Sequence, residues 1–399
     1  MMAATVTLGF QRVFMATIIE RMNTLQTRFG SGQEVQRLED DALLAGRGQF
    51  TDDVEHAGQT RMCLVRSPHP HARITSIDTA AAAAMPGVRL VLTGAELQAA
   101  GVKIMAKPIM HKRADGGRPA SPDRHLLAVE RVRFVGECVV AVVADTEQQA
   151  RDAAEAVQVD YEPLPHAVTL ADALAPNAPL LSDAPDNKVA ESRHGDAAQA
   201  QAAFARARHV VELDITNQRV VALSIEPRSV QAHIDQGRLV VRMSSQMPTG
   251  IRTQICDLLG LKESQVRVLV GDVGGGFGMK TGAYPEDILV AYCAHRLQRP
   301  VKWIAERAEE FLSSSHGRDI QCHGALALDE HGKILALRIH TLANVGAYPG
   351  MTGVTIQIMI GPWVQTSVYD IGCIDFHYTA VMTHTASTGA YRGAGRPEA

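Results

Sequence analysis

The residues best placed to do chemistry lie in the stretch "VRVLVGDVGGGFGMKTGAYPEDILV", residues 266–290. Gly274, Gly275, Gly276 and Gly278 bare the main chain, Phe277 is the one aromatic among them, and Lys280 follows. A strand, a glycine loop and a helix can cradle an anion with backbone N–H groups. Two familiar versions fail. A P-loop needs glycine directly before Lys-Ser/Thr, and Met279 stands there. A Rossmann fingerprint needs glycine or alanine at its sixth position, which Met279 also occupies. Taken alone, the loop reads equally well as a ligand-free turn. A second cluster shifts the balance. The chain ends "THTASTGAYRGAGRPEA", with Gly389, Gly393 and Gly395 around Tyr391, Arg392 and Arg396. Two glycine loops, each with an aromatic, can close over a flat ligand from two sides, and arginine adds fork-shaped donors for oxygen or phosphate groups.

The elements that must position these loops follow from local pattern. "SQVRVLV" reads as a strand feeding the first loop, and "YPEDILVAYCAHRL" as the helix after it, with Pro285 in its first turn. "GRLVVRMSSQ" is a strand ending at Gln246, and "TGIRTQICDLLG" a helix capped by Thr249 and stopped at Gly260. "VKWIA" is a short strand. "DIQCHGALALDEHGKILALRIHTLANVGAY" is a long hairpin around Asp329–Gly332. Earlier, strands flank a "PHPH" turn, and Phe134 to Ala144 is strand-rich. Thr146 with Gln149 then forms a capping box, opening a helix with Ala150 and Ala153 on one face. Residues 164–205, rich in Pro, Ala and Asp, lack strand periodicity and read as an interdomain connection, with a boundary near residue 170.

The chain has 399 residues, 46% hydrophobic and 21% charged, enough for two or three cored domains of mixed α/β type, α+β in class. A net charge of -4, no Lys/Arg run and 5% aromatics give no nucleic-acid signature. The six cysteines include no C-x-x-C, which excludes a local iron–sulfur or zinc knuckle and suits small buried side chains in a reducing compartment. No run of apolar residues is long enough to span a membrane. The opening "MMAATVTLGFQRVFMATIIERMNTLQ" does not read as a secretory signal, since Arg12 interrupts its apolar run and no small-residue cleavage site follows cleanly. Residues 1–35 read as a disordered leader or a start placed too early, with Met22 the real beginning.

"GDVGGGFGMK" and "AYRGAGRPEA" resemble the two molybdopterin loops of the molybdenum hydroxylases: xanthine dehydrogenases, aldehyde oxidoreductases and carbon monoxide dehydrogenase large subunits. "RLEDDALLAGRGQFTDDV", "RSPHPHARITSID", "VRFVGECVVAVVADTEQQARDAAEAVQVDYEPLP", "SSQ" and "RPVKWIAERAEEF" match the same running pattern in order. The resemblance implies an α/β hammerhead domain over residues 36–165, a connection over 166–205, and the first half of a molybdopterin-binding domain over 206–399.

It further implies that a pterin dithiolene, rather than protein side chains, holds the molybdenum, in the cytosine dinucleotide form of the cofactor. Gly274, Gly275, Gly276, Phe277 and Gly278 match the first cofactor loop, and Arg392, Gly393, Ala394 and Gly395 the loop lining the substrate side. Gln246 matches a glutamine beside the metal's oxo ligand, with an ordinary strand-end polar residue as the alternative. Gln246, Phe277 and Arg392 are the residues placed nearest the chemistry. Carbon monoxide dehydrogenases proper carry a copper-binding cysteine where this chain has Gly393, so hydroxylation of an aldehyde or nitrogen heterocycle is expected instead. Glu226 fits the pattern as a structural carboxylate, Glu286 favours its helix dipole, and the sixteen histidines lack metal spacing. The family's general-base glutamate lies in a second half that this chain lacks. Expected partners are therefore that second half, a 2Fe-2S subunit and an FAD subunit, with no Fe-S or FAD in this chain. The setting is cytoplasmic, with peripheral membrane association left open. The alternatives are a truncated inactive remnant and a non-catalytic module that binds a partner through its hammerhead surface.

Overall fold

The computed structural model describes residues 37–105 and 109–398. The expected leader at 1–35 lies outside them. Two units are distinguished, Met1–Gln49 and Phe50–Ala399. Of the first, the described part carries one short helix, Asp40–Leu44, with Gly46 beyond it at φ 67°.

The second unit is built on strands. Up to residue 163 these are β1 (Thr60–Arg66), β2 (Ala72–Asp78), β3 (Val88–Thr93), β4 (Arg131–Val132), β5 (Cys138–Ala144) and β6 (Gln158–Pro163). Then come β7 (Lys188–Gly195), β8 (His209–Asn217), β9 (Val220–Val221), β10 (Ser229–Asp235), β11 (Arg238–Met243), β12 (Val266–Leu269) and β13 (Val301–Ile304). The last are β14 (His316–Gly317), β15 (Ile320–Leu328), β16 (Ile334–Asn344) and β17 (Ile374–Val381). They form a seven-stranded sheet in the order β12-β11-β10-β13-β1-β5-β3, a five-stranded sheet β7-β17-β16-β15-β8, a three-stranded sheet β4-β2-β6 and a two-stranded pair β14-β9.

The large sheet runs without a break across the boundary expected near residue 170, because β1 pairs in parallel with β13, Thr60 opposite Val301. Met62 and Leu64 of β1 share one buried cluster with Val230, Val241, Leu289 and Trp303. β5 reads "CVVAVVA" and is buried at every position, as a strand covered on both faces must be. Lys302 of β13 is fully buried, yet its ammonium reaches the Asp52 and Val54 carbonyls and Glu55 Oε1, which accept at 2.6, 3.2 and 3.0 Å.

The helix Glu147–Glu155 has the expected Thr146–Gln149 capping box and buries Ala150 and Ala153. The helix Pro285–Leu297 begins on Pro285 as expected and buries most of its residues, packing on β10 and β13. The helix Pro248–Leu259 ends on left-handed Gly260 as expected, but Thr249 is not its cap. Pro248 takes the first helical position, where its fixed φ and missing N–H cost nothing, and Met247 precedes it.

The stretch 166–205 is not free of regular structure. It holds the helix Leu170–Leu174, strand β7 and the helix Ala197–Arg206, whose N-cap is Asp196. β7 is an edge strand beside β17, and only Val189 and Ala190 are deeply buried, so a period of two never shows in its sequence. The β15–β16 hairpin turns at Asp329–Gly332 as expected. Asp329 Oδ1 accepts from the His331 and Lys333 N–H groups, and Gly332 is left-handed at φ 80°.

Candidate functional site

β12 stops at Leu269, and the chain enters the glycine loop. Gly275, Phe277 and Gly278 have φ of 103°, 51° and 101°. That path is open to glycine, and Phe277 occupies the left-handed region that a non-glycine residue takes only under constraint. The constraint comes from beneath. The Glu226 carboxylate accepts from the Gly274 N–H (2.8 Å), Ser244 Oγ (2.5 Å) and Lys280 Nζ (3.3 Å), and the Glu226 N–H returns a bond to the Gly274 carbonyl. Lys280 Nζ also donates to Ser244 Oγ and the Glu226 carbonyl. Burial pulls the Lys280 ammonium below its ordinary pKa, and Glu226 works against that shift. Glu226 is thus the structural carboxylate expected of it.

Gln246 locks the far side of the loop. Its side-chain carbonyl accepts from the Gly278 N–H at 3.0 Å, and its own N–H donates to the Lys280 carbonyl at 2.8 Å. A Cβ on Gly276 would lie 2.6 Å from Gln246 Oε1. This glycine therefore allows protein to approach protein at close range. With Oε1 engaged, the Gln246 amide nitrogen has no acceptor among the described residues, and the side chain is exposed. The N–H groups of Gly275, Gly276 and Phe277 have no acceptor among the described residues, although Gly276 is buried. Buried N–H groups are seldom left without a partner.

The second glycine loop is in direct contact with the first. The Arg392 N–H donates to the Phe277 carbonyl at 2.8 Å, and the Arg392 guanidinium lies 5.6 Å from the Phe277 ring centroid. A Cβ on Gly278 would lie 2.5 Å from the Ala390 carbonyl oxygen. Gly393 and Gly395 are left-handed at φ 78° and 83°. Ala394 lies between them.

Arg318 clamps this loop. It donates to the Tyr391 carbonyl (2.9 Å), the Arg392 carbonyl (3.1 Å) and Glu398 Oε1 (2.7 Å), from a backbone at φ 65°. Sequence reasoning did not single it out. Arg318 sits in no motif, and its left-handed backbone leaves no compositional trace. Lys280 was visible but was weighed only as a phosphate ligand.

Behind the first loop stands a buried ion cluster. Glu286 accepts from Arg66 at 2.9 Å and pairs with Arg228 at 3.2 Å. Burial alone would raise the Glu286 pKa, but Arg228 and Arg66 hold it well below the usual carboxylate range. The role of Glu286 thus extends beyond its helix dipole. The Arg228 guanidinium lies 4.0 Å from the Tyr284 ring centroid, and the Tyr284 hydroxyl donates to the Met279 carbonyl at 2.7 Å.

A cavity of 310 Å³ opens beside the loops, lined among others by Gly278, Thr281, Tyr284, Ser315, Thr388 and Ala390. Gln246, Phe277 and Arg392 do not line it and are exposed. A larger cavity, 450 Å³, lies against Arg131, Arg133 and Glu137 and touches neither loop. No group of three or more His, Cys, Asp or Glu that could hold a metal ion occurs among the described residues. The donors at the loops are backbone N–H groups, an amide and a guanidinium, which suit oxygen-rich ligands.

Known proteins resemble the chain over nearly its whole length. Residues 180–399 match the molybdopterin cofactor-binding domain, and residues 45–165 the aldehyde oxidase and xanthine dehydrogenase a/b hammerhead domain. The nicotine 6-hydroxylase large subunit of Paenarthrobacter nicotinovorans is 35% identical over 375 residues, 92% of this chain and 45% of that protein. The carbon monoxide dehydrogenase large chain of Afipia carboxidovorans is 35% identical over 401 residues, 96% of this chain and 48% of that one. Quinoline 2-oxidoreductase from Pseudomonas putida 86 superposes with a TM-score of 0.83 at 34% identity, covering 90% of this chain and 45% of that chain. The chain spans about half the length of the relatives it matches.

Proposed function

The chain belongs to the molybdenum hydroxylase family, and on that premise we propose that its two glycine loops hold the pterin-bound molybdenum of an enzyme that hydroxylates an aldehyde or nitrogen heterocycle. The observation that carries the reading is the contact between the loops. The Phe277 carbonyl accepts from the Arg392 N–H, while three successive N–H groups beside it, at Gly275, Gly276 and Phe277, have no acceptor among the described residues. The site fits such a group on that ground.

Gly274 to Gly278 would hold the cofactor from one side, and Arg392, Gly393, Ala394 and Gly395 from the other, in the cytosine dinucleotide form. When bound, the cofactor supplies two-electron redox chemistry with oxygen drawn from water. The residues of this chain supply fixed dipoles. Glu226 and Lys280 hold the first loop from beneath, and Gln246 holds the Gly278 N–H, which leaves its own amide nitrogen free to donate to a ligand. Arg318 holds the Arg392 loop from behind, so the guanidinium of Arg392 is presented on a fixed backbone. Donors already in position need no reorganisation as charge develops. Gly393 presents no thiol, so copper has no ligand there.

The remaining parts come from elsewhere. A polypeptide corresponding to the rest of the relatives' length would supply the general-base glutamate. Iron–sulfur and flavin subunits would carry electrons away. The six cysteines are all free thiols, which suits the cytoplasm, and no described helix is long and apolar enough to cross a membrane.

Purification of the chain with its native partners, followed by metal and pterin analysis, tests the proposal. Molybdenum and pterin in equal amounts, with no copper, are expected. A complex without molybdenum would favour an inactive remnant or a partner-binding module, and stoichiometric copper would overturn the reading of Gly393.

A further inference from the structure

Strand β8 ends the five-stranded sheet, and no strand pairs with its outer edge among the described residues. It is exposed along almost its whole length, although its sequence, "HVVELDITN", is rich in β-formers. One face carries Val211, Leu213 and Ile215, which are 53%, 61% and 50% exposed. In register, Leu213 stands opposite Gly324, and Gly324 opposite Ile339. Ile339 is 6% exposed and belongs to the buried cluster of Phe376 and Tyr378. The apolar face of β8 therefore continues a core face that loses its cover at the edge. The other face carries Val210, 50% exposed, and then Glu212 and Asp214, with His323 of β15 bonded to Asp214 at 2.8 Å and Gln321 beside Thr216.

Folded proteins blunt long apolar edges with charged side chains, proline or a bulge; β8 has no lysine, proline or bulge, and its only charges are the acidic pair on the face opposite Val211, Leu213 and Ile215. We propose that β8 is a docking strand. It takes an extended segment of another polypeptide whose apolar residues alternate with lysine or arginine, apolar toward the Val211–Leu213–Ile215 face and basic toward Glu212 and Asp214. Main-chain bonds along the free edge give the affinity, and the alternation gives the register. A second copy of this chain is the wrong occupant. Antiparallel pairing of two β8 strands about Leu213 sets Glu212 across from Asp214 on both sides of the two-fold, and like charges directly opposite are unfavourable.

The test uses the full chain and two synthetic peptides as long as β8, one alternating valine with lysine and one alternating valine with glutamate. Amide exchange in β8 is read by mass spectrometry, and the oligomeric state by sedimentation. The lysine peptide is expected to slow exchange in β8 and to bind about tenfold more tightly than the glutamate peptide. The double variant Glu212→Lys/Asp214→Lys should reverse that order. Both side chains are exposed, so the variant should keep the fold, and unchanged exchange in β5 checks it. Three results would overturn the proposal: no slowing in β8 with either peptide, equal affinity for both, or a dimer of the chain that protects β8.

Discussion

Replacing Gly278 with alanine should pry the two glycine loops apart without unfolding the chain. Gly278 has φ 101°, where an L side chain costs about 1–3 kcal/mol. Its Cβ would stand 2.5 Å from the Ala390 carbonyl oxygen and 2.8 Å from the carbonyl carbon. Both are backbone atoms and cannot swing aside as a side chain would. An ordinary carbon–oxygen separation requires the second loop to retreat by about 1 Å. That retreat breaks the 2.8 Å bond from the Arg392 N–H to the Phe277 carbonyl, worth about 1 kcal/mol net. The combined loss is about 3 kcal/mol in the free energy of opening the loop pair. Amide exchange reads that quantity site by site, and 3 kcal/mol corresponds to roughly a hundredfold faster exchange at Arg392. Amides of β5, buried in the large sheet, should exchange at their original rate. Wild-type exchange at Arg392 in the variant would refute the reasoning, because the loops would then not depend on each other.

Other perturbations reach the supports of the site. Glu286→Gln leaves the buried Arg228 guanidinium without its carboxylate and Arg66 with Glu309 alone, and should cost about 3–5 kcal/mol in urea denaturation; a loss below 1 kcal/mol would mean the cluster is not a support. Asp287 is buried, and burial raises its carboxyl pKa to about 7. Its ionisation in the unfolded chain near pH 4 therefore makes stability fall as pH rises from about 4 to 7. Asp287→Asn keeps the oxygen that accepts from the Tyr284 N–H, so it should stabilise the chain at pH 8 and change little at pH 4, and an equal effect at both would contradict the assignment. His384 and His316 are buried, which lowers their pKa to about 3 and about 4. The unfolded chain binds protons there first, so stability should fall as pH drops below about 6.5. The loss should be about 2 kcal/mol per histidine by pH 5, and flat stability over that range would show both rings to be solvated.

What the sequence revealed was local. Thr146 with Gln149, Pro285 as a helix start, Gly260 as a stop and the turn at Asp329 each rest on chemistry within a few residues, and each forms as read. The same holds for the two glycine loops, whose bareness is plain in composition. What stayed hidden depends on distant partners. β7 is a strand because β17 supplies its ladder, and its own residues show no alternation. Thr249 is a good cap residue outcompeted by Pro248 beside it. Arg318 holds the Arg392 loop across a long stretch of chain, and Lys280 works downward into Glu226 rather than outward toward a phosphate. That the two loops would meet could be expected from resemblance, whereas the atoms that join them could not.

The most direct measurement is the molybdenum and pterin content of the native complex carrying Gly276→Val in this chain. The branched side chain would have to enter space held by the Gln246 amide, 2.6 Å from the Cβ position. A folded complex stripped of both molybdenum and pterin is the expected result. Full occupancy by both in the folded variant would show that the cofactor is held somewhere other than between these loops.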